Sequence, residues 1–91
     1  MAPSEKTLEE LKVETKKNNK HQIILFNDEV NTFDFVIEAL MKTCDHTLEQ
    51  AEQCAMITHF NGKCGVKTGS LKDLKPRCSS LLDLGLSASI K

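Results

Sequence analysis

Three features of this 91-residue sequence predict an α+β fold in which a three-stranded antiparallel sheet packs against three helices. The length allows one small domain, and a hydrophobic content of 40% can supply its core. Along the chain, the spacing of the apolar residues is typical of a strand in some segments and of a helix in others. These segments follow the order strand, helix, helix, strand, helix, strand. The connections between these segments are short, and short connections favour a small antiparallel sheet with its helices packed on it.

The first 20 residues differ in composition from the rest of the chain. They contain five Lys and four Glu but few large apolar side chains. A short segment of this kind cannot bury enough apolar surface to offset the entropy lost on ordering. We therefore expect residues 1–20 to be a flexible N-terminal extension and residues 21–91 to be the folded domain.

The first predicted strand covers residues 22–26 and ends at Asn27-Asp28. A helix should follow, with Asn31 as its N-cap and Asp34 as an acid in its first turn. The apolar side chains of this helix recur at helical spacing: Phe33, Val36, Ile37, Leu40 and Cys44.

The second helix is predicted from the capping box Thr47-x-x-Gln50 and ends at the turn signal Asn61-Gly62. A strand over residues 64–68 follows this turn. Ser70-x-x-Asp73 then marks a third helix, which we expect Pro76 to kink or divide. Gly85 ends that helix, and alternating apolar residues after it predict a final half-buried strand.

Composition excludes several functions. A net charge of −1 gives no basic field for nucleic acid, and four Phe without Trp or Tyr argue against a platform for base stacking. The longest apolar run has four residues, so no membrane span is expected. The first residues lack the apolar segment of a signal peptide, and the four cysteines contain no C-x-x-C pair. We expect a cytoplasmic monomer with mostly buried thiols and no cofactor or metal.

The candidate site is a group of hydrogen-bond acceptors. Asn27, Asp28 and Glu29 lie at the predicted junction of the first strand and first helix, where loops on a rigid scaffold often hold binding groups. His59, at the end of the second helix, can add one further acceptor or donor near neutral pH. Carboxylates and amide carbonyls together favour a cationic donor.

Four segments of this sequence resemble the ClpS family, whose members pass N-end-rule substrates to the ClpA unfoldase of the ClpAP protease. They are Ile-Leu-Phe-Asn-Asp-Glu (24–29), Phe-Asp-Phe-Val-Ile-Glu-Ala-Leu (33–40), His-Phe-Asn-Gly-Lys (59–63) and Cys-Gly-Val (64–66). The resemblance covers residues 21–91 and implies a compact domain with a mobile N-terminal extension.

The resemblance also implies a role for each matching residue. Asn27, Asp28 and His59, with Glu29 beside them, would hold the free α-amino group of a substrate. A hydrophobic pocket for its first side chain would be formed by six residues: Asn31, Phe33, Val36, Ala55, Thr58 and Leu86. The implied substrates begin with Leu, Phe, Tyr or Trp. The implied partner is the ClpA N-terminal domain or a ClpC-type relative, contacted through Ser70 and Lys75.

This sequence departs from the family pattern at several of these positions. Asn31 replaces the usual Thr, Ala55 replaces a common Met and Thr58 replaces a common Val, so we expect a wider and more polar pocket. One alternative is a ClpS-like domain whose specificity for N-degrons is altered or lost. Two others are an enzyme using His59 with Cys64 and a zinc-stabilised module with four ligands: Cys54, His59, Cys64 and Cys78.

Overall fold

A computed structural model describes residues 21–91, and the extension expected at residues 1–20 lies outside them. Three strands, β1 (His21–Phe26), β2 (Lys63–Gly69) and β3 (Ser87–Ile90), form an antiparallel sheet in the order β2-β1-β3. The central strand β1 is the buried, β-branched segment of the sequence, and this arrangement satisfies its backbone groups on both sides. The predicted fold class and element order are confirmed.

Helices α1 (Phe33–Thr43), α2 (Leu48–Asn61) and α3 (Leu71–Asp83) complete the domain. The capping box at Thr47 is present, with both of its reciprocal hydrogen bonds. The predicted N-cap of α1 is wrong by one residue. Thr32 caps the helix by accepting a hydrogen bond from the Phe35 N–H at 3.0 Å, and this leaves Asn31 in the preceding loop.

Helix α3 continues through Pro76 without the division that the sequence suggests. A proline removes one backbone hydrogen bond, but Leu74, Cys78 and Leu81 are all buried on the core side of this helix. The packing of these side chains holds the helix together across Pro76. Tertiary burial therefore outweighs the local preference of the proline.

The core lies between the sheet and the helices. Ile23 and Leu25 of β1 pack there against Leu40 of α1 and Leu74 and Leu81 of α3. Successive residues of a strand point to opposite faces, so these two β1 side chains face the helices while their neighbours face away. Among residues 21–91, no helix combines the length and apolarity that crossing a bilayer would require.

Two connections position the end of β1. The Asn27 N–H donates to the Gly62 carbonyl at 2.9 Å, and Phe26 pairs with Lys63 on one side and Ser87 on the other. Gly62 ends α2 in the left-handed conformation, with φ of 93°, which glycine adopts without steric cost. The loop after β1 is therefore held beside the C-terminal end of α2.

Candidate functional site

A cavity of about 500 Å³ opens where the end of β1, the start of α1, the end of α2 and the start of β3 meet. All four residues of the predicted acceptor group and all six of the predicted pocket line it. Leu25 and Phe26 line it as well, although neither is among the predicted site residues. Their signal was available, since they directly precede Asn27 in the strand that leads to the site.

The loop after β1 is organised around the carboxylate of Asp28. Its Oδ1 accepts hydrogen bonds from the Val30 N–H (3.0 Å) and the Asn31 N–H (2.9 Å). The Asn31 side-chain amide reaches both carboxylate oxygens, at 3.2 and 3.1 Å. These donors, the Asn31 N–H foremost, hold the pKa of Asp28 below its ordinary value despite some desolvation. Asp28 therefore presents a stable negative charge at the cavity.

His59 lies in the last turn of α2, and its side chain borders the same cavity. Its ring meets the Phe60 ring edge-on, with centroids 5.0 Å apart and an interplanar angle of 78°. The backbone bond from Asn27 to Gly62 brings this turn beside the β1–α1 loop. The structure thus brings His59 to the same cavity as Asn27, Asp28 and Glu29, which lie about 30 residues earlier in the sequence.

The rest of the cavity lining is largely apolar. Val36, Ala55 and Leu86 come from three different elements or connections, and Ala55 and Leu86 are only 3% and 4% exposed. Phe33 is 42% exposed at the start of α1 and also borders the cavity. The small side chain of Ala55 lines the cavity at this point, and whether the pocket is wider than is usual in the family stays a prediction.

Thr58 adds less polarity to the cavity than the sequence suggests. Its hydroxyl donates to the Cys54 carbonyl one helical turn earlier, at 2.7 Å. The hydroxyl hydrogen is therefore already used within α2 and is not a free donor for a ligand. Any threonine in a helix lies within reach of the carbonyl one turn earlier, and its side-chain rotamer determines whether the hydroxyl donates to that carbonyl.

Ser70 and Lys75 do not line the cavity: Ser70 directly precedes α3, and Lys75 lies within it. Ser70 is the N-cap of this helix and accepts a hydrogen bond from the Asp73 N–H at 3.2 Å. Lys75 is exposed further along the same helix. The twelve predicted site residues therefore divide into ten around the cavity and two on a separate surface.

The cysteines show no feature of a reactive or metal-binding site. All four are free thiols in the structure, and burial, with Cys64 close by, raises the pKa of Cys54 to about 12. The Cys64 thiol contacts the Gly65 carbonyl at 3.5 Å. Across residues 21–91, which include all four proposed zinc ligands, no group of three or more potential ligands is placed to hold a metal ion.

A family model and individual proteins of similar sequence identify the same family. The family model described as ATP-dependent Clp protease adaptor protein ClpS matches residues 16–89. The chain is 43% identical over 68 residues to the ATP-dependent Clp protease adapter protein ClpS of Campylobacter jejuni, covering 72% of this chain and 69% of that protein. It is 32% identical over 69 residues to the protein of the same name from Cronobacter sakazakii, covering 74% and 65%.

A solved structure shares the fold. Agrobacterium tumefaciens ClpS2, determined bound to L-phenylalaninamide, superposes with a TM-score of 0.74 at 18% sequence identity. The match covers 78% of this chain and 93% of that one. At this identity the likeness concerns the arrangement of strands and helices.

Proposed function

The chain belongs to the ClpS family of Clp protease adaptors, and we propose that it binds the free α-amino group and bulky first side chain of N-degron substrates. It then delivers them to a Clp unfoldase for degradation. The observation that carries this proposal is a single cavity with acceptors along one part of its lining and apolar side chains along another. Such a cavity suits a ligand that carries a cation next to a hydrophobic group.

The acceptor group suits an α-amino group in both charge and number of bonds. An α-amino group has a pKa of about 8 and is mostly protonated at pH 7, so it offers three donors. Asp28 and Glu29 supply negative charge, Asn27 supplies an amide carbonyl, and His59 supplies a ring nitrogen when neutral. Acetylation removes the charge and adds bulk, so an acetylated N-terminus should not bind.

The apolar lining suits one large side chain. Burial of a Leu or Phe side chain contributes about 1.5–3 kcal/mol, and each charge-assisted hydrogen bond contributes about 1.5–3 kcal/mol. Two or three such bonds and one buried side chain, less the cost of ordering a flexible peptide end, correspond to roughly micromolar affinity. Neither part of the cavity would suffice alone, so both the amine and the side chain should be required.

The ligand seen in the Agrobacterium tumefaciens structure has the same chemistry. L-Phenylalaninamide combines a free α-amine with an aromatic side chain. The shared fold and the family membership support an equivalent ligand for the cavity of this chain. We propose substrates that begin with Leu, Phe, Tyr or Trp.

The adaptor role requires a second surface for the unfoldase. We propose that α3 supplies it through Ser70 and Lys75, and that the partner is ClpA or a ClpC-type relative. The chain would act by binding and transfer without catalysing a reaction itself, and we propose the cytoplasm as its compartment. The free thiols of the described residues fit a reducing compartment of this kind.

Fluorescence anisotropy with short labelled peptides tests the binding step. Peptides beginning with Phe, Leu, Trp, Tyr or Ala are compared with free and acetylated amines. We expect micromolar binding only where a free amine and a bulky first residue occur together. Asp28→Ala should weaken all free-amine peptides about equally, whereas Glu52→Ala, at an exposed position of α2 away from the cavity, should change nothing.

Absence of binding to every free-amine peptide would refute the proposal. The family fold would then serve another partner, and the changes at Asn31, Ala55 and Thr58 would account for the lost specificity. Delivery is tested separately, by following degradation of a reporter with an N-terminal Phe by a Clp unfoldase and its protease. Lys75→Glu should slow this degradation without changing peptide affinity, and Lys42→Glu, at an exposed position of α1 that does not line the cavity, is the matched control.

A further inference from the structure

The side-chain amide of Asn31 lies among three acceptors from two separate parts of the chain. Its Nδ2 is 3.2 and 3.1 Å from the two oxygens of Asp28 and 3.0 Å from the carbonyl oxygen of Gly85. A side-chain amide has two hydrogens. One can be shared by the Asp28 carboxylate, and the other can be donated to Gly85. These contacts also determine the orientation of the amide, because its oxygen could not face three acceptors.

Gly85 belongs to the turn that places Leu86. Its φ of 92° is in the left-handed region, and its N–H donates to the Leu82 carbonyl at 2.9 Å. The Leu86 N–H donates to the Leu81 carbonyl at 3.0 Å, which completes a Schellman motif at the end of α3. The carbonyl of Gly85 therefore stands directly before the buried side chain that lines the apolar part of the cavity.

Asn31 is not needed to cap α1. Thr32 performs that role through its bond with the Phe35 N–H. The Asn31 amide is consequently available for a contact that spans 54 residues of sequence, from the β1–α1 loop to the α3–β3 turn. The two segments it joins are the ones that supply the carboxylate of Asp28 and the side chain of Leu86 to the same cavity.

We propose that Asn31 is a positioning residue that holds the amine-binding loop against the turn before Leu86. This contact keeps the site for the α-amine and the site for the first side chain at a fixed distance, so that one substrate N-terminus can occupy both. This inference rests on the proposed function. The amide donates to Asp28 on the amine side and to Gly85 on the side-chain side. Loss of Asn31 should therefore weaken binding and also reduce the preference for a bulky first residue.

The ligand-free part of the test measures amide hydrogen exchange at Gly85 and Leu86. Asn31→Leu has similar size and adds no charge; it keeps the backbone N–H that donates to Asp28, but its side chain cannot donate to Asp28 or to Gly85. We expect faster exchange at both amides in this variant than in the wild type. Asn31→Ser has a single hydroxyl hydrogen, which can serve Asp28 or Gly85 but not both, so its exchange should be intermediate. Gln53→Leu, an amide-to-apolar change at an exposed position of α2, is the matched control.

The binding part measures the ratio of affinities for Phe-initial and Ala-initial peptides with free amines. Asn31→Leu should weaken the Phe-initial peptide about tenfold, the loss expected for one hydrogen bond of ordinary strength, and should lower this ratio. Asp28→Ala should weaken both peptides and leave the ratio nearly unchanged. This difference separates positioning of the two subsites from simple loss of an amine contact.

Three outcomes are decisive. A lowered ratio together with faster exchange at Gly85 and Leu86 supports the proposal. An unchanged ratio, or unchanged exchange in Asn31→Leu, overturns it and leaves Asn31 with a structural role in its own loop. If the wild-type protein binds no free-amine peptide, the proposed function fails and the recognition role of Asn31 fails with it. The exchange data then still decide whether Asn31 holds the turn.

Discussion

Replacement of Ala55 with methionine should narrow the proposed pocket for the first side chain and change which substrates it accepts. Ala55 is 3% exposed, lies on α2 and lines the cavity of about 500 Å³. Methionine adds three non-hydrogen atoms to the side chain at this position. These atoms can extend into the cavity that Ala55 lines or press against the core.

The expected size of the effect depends on the ligand. Forcing extra atoms into a filled site costs about 1–3 kcal/mol, which corresponds to roughly 5- to 150-fold weaker binding. We expect this penalty for a Trp-initial peptide, whose indole needs most of the available space. A Leu-initial peptide leaves room for the methionine and can gain contact with it, at about 0.8 kcal/mol for each buried methylene. The ratio of Trp to Leu affinity should therefore fall at least about fivefold.

Competition fluorescence anisotropy with Trp-initial and Leu-initial peptides measures this ratio directly. Gln53→Met places the same side chain at an exposed position of the same helix and should leave the ratio unchanged. A thermal unfolding curve of each variant checks that the fold is intact. The acetylated peptides provide the background for each measurement.

An unchanged Trp to Leu ratio in a folded Ala55→Met protein would refute the assignment of Ala55 to the pocket. An equal loss for both peptides together with a lower Tm would mean that the methionine packs into the core instead. Because Ala55 also belongs to the hydrophobic core, the unfolding curve distinguishes these two results.

Three further predictions concern stability and thiol chemistry. Leu40→Ala, at a fully buried position, should lower the free energy of unfolding by about 2–5 kcal/mol, because apolar burial is lost and a cavity remains. Urea denaturation measures this free energy. A loss below about 1 kcal/mol would contradict the assignment of Leu40 to the core. The Asp28 carboxylate, whose pKa is lowered in the native state, should stabilise the protein above the unfolded-state pKa of about 3.9. The difference in unfolding free energy between wild type and Asp28→Ala should therefore be constant from pH 7 to about 5 and should shrink as the pH falls through the native pKa of Asp28. A difference that grows on acidification would mean that the native pKa of Asp28 is raised instead of lowered. Burial raises the pKa of Cys54 to about 12, so this thiol should react with iodoacetamide at pH 8 more slowly in the folded protein than in urea. Mass spectrometry measures the two rates. Equal rates would mean that the folded protein exposes a reactive Cys54 thiolate.

Most of the fold follows from local signals. The capping residues Thr47 and Ser70 and the turn glycines Gly62 and Gly85 mark the ends of elements, because orphan backbone groups at a helix terminus need partners close in sequence. These signals predict all six elements in the correct order. Where two local signals compete, prediction is less accurate. Asn31 and Thr32 are both good N-caps, and the structure uses Thr32.

Some residues of the candidate site are neighbours in sequence, and others come together only through the fold. Asn27, Asp28 and Glu29 are adjacent in sequence, so their common position after β1 is predictable from the chain alone. His59 is predicted to join them from its place at the end of the second helix, whereas Leu86 is implied only by the resemblance to ClpS; the structure places both at the same cavity. Their roles as ligands of an amine and a side chain remain predictions that the peptide measurements test.

The sequence by itself determined the number, type and order of the strands and helices and which residues form the acceptor group after β1. These properties depend on side-chain periodicity and on hydrogen bonds within a few residues. Only the tertiary structure decided that α3 passes through Pro76, that the Thr58 hydroxyl is used within α2, and that Asn31 joins Asp28 to the Gly85 carbonyl. Each of these three features depends on tertiary packing or on the choice of a side-chain rotamer. Neither packing nor rotamer choice can be predicted from the local pattern of residues.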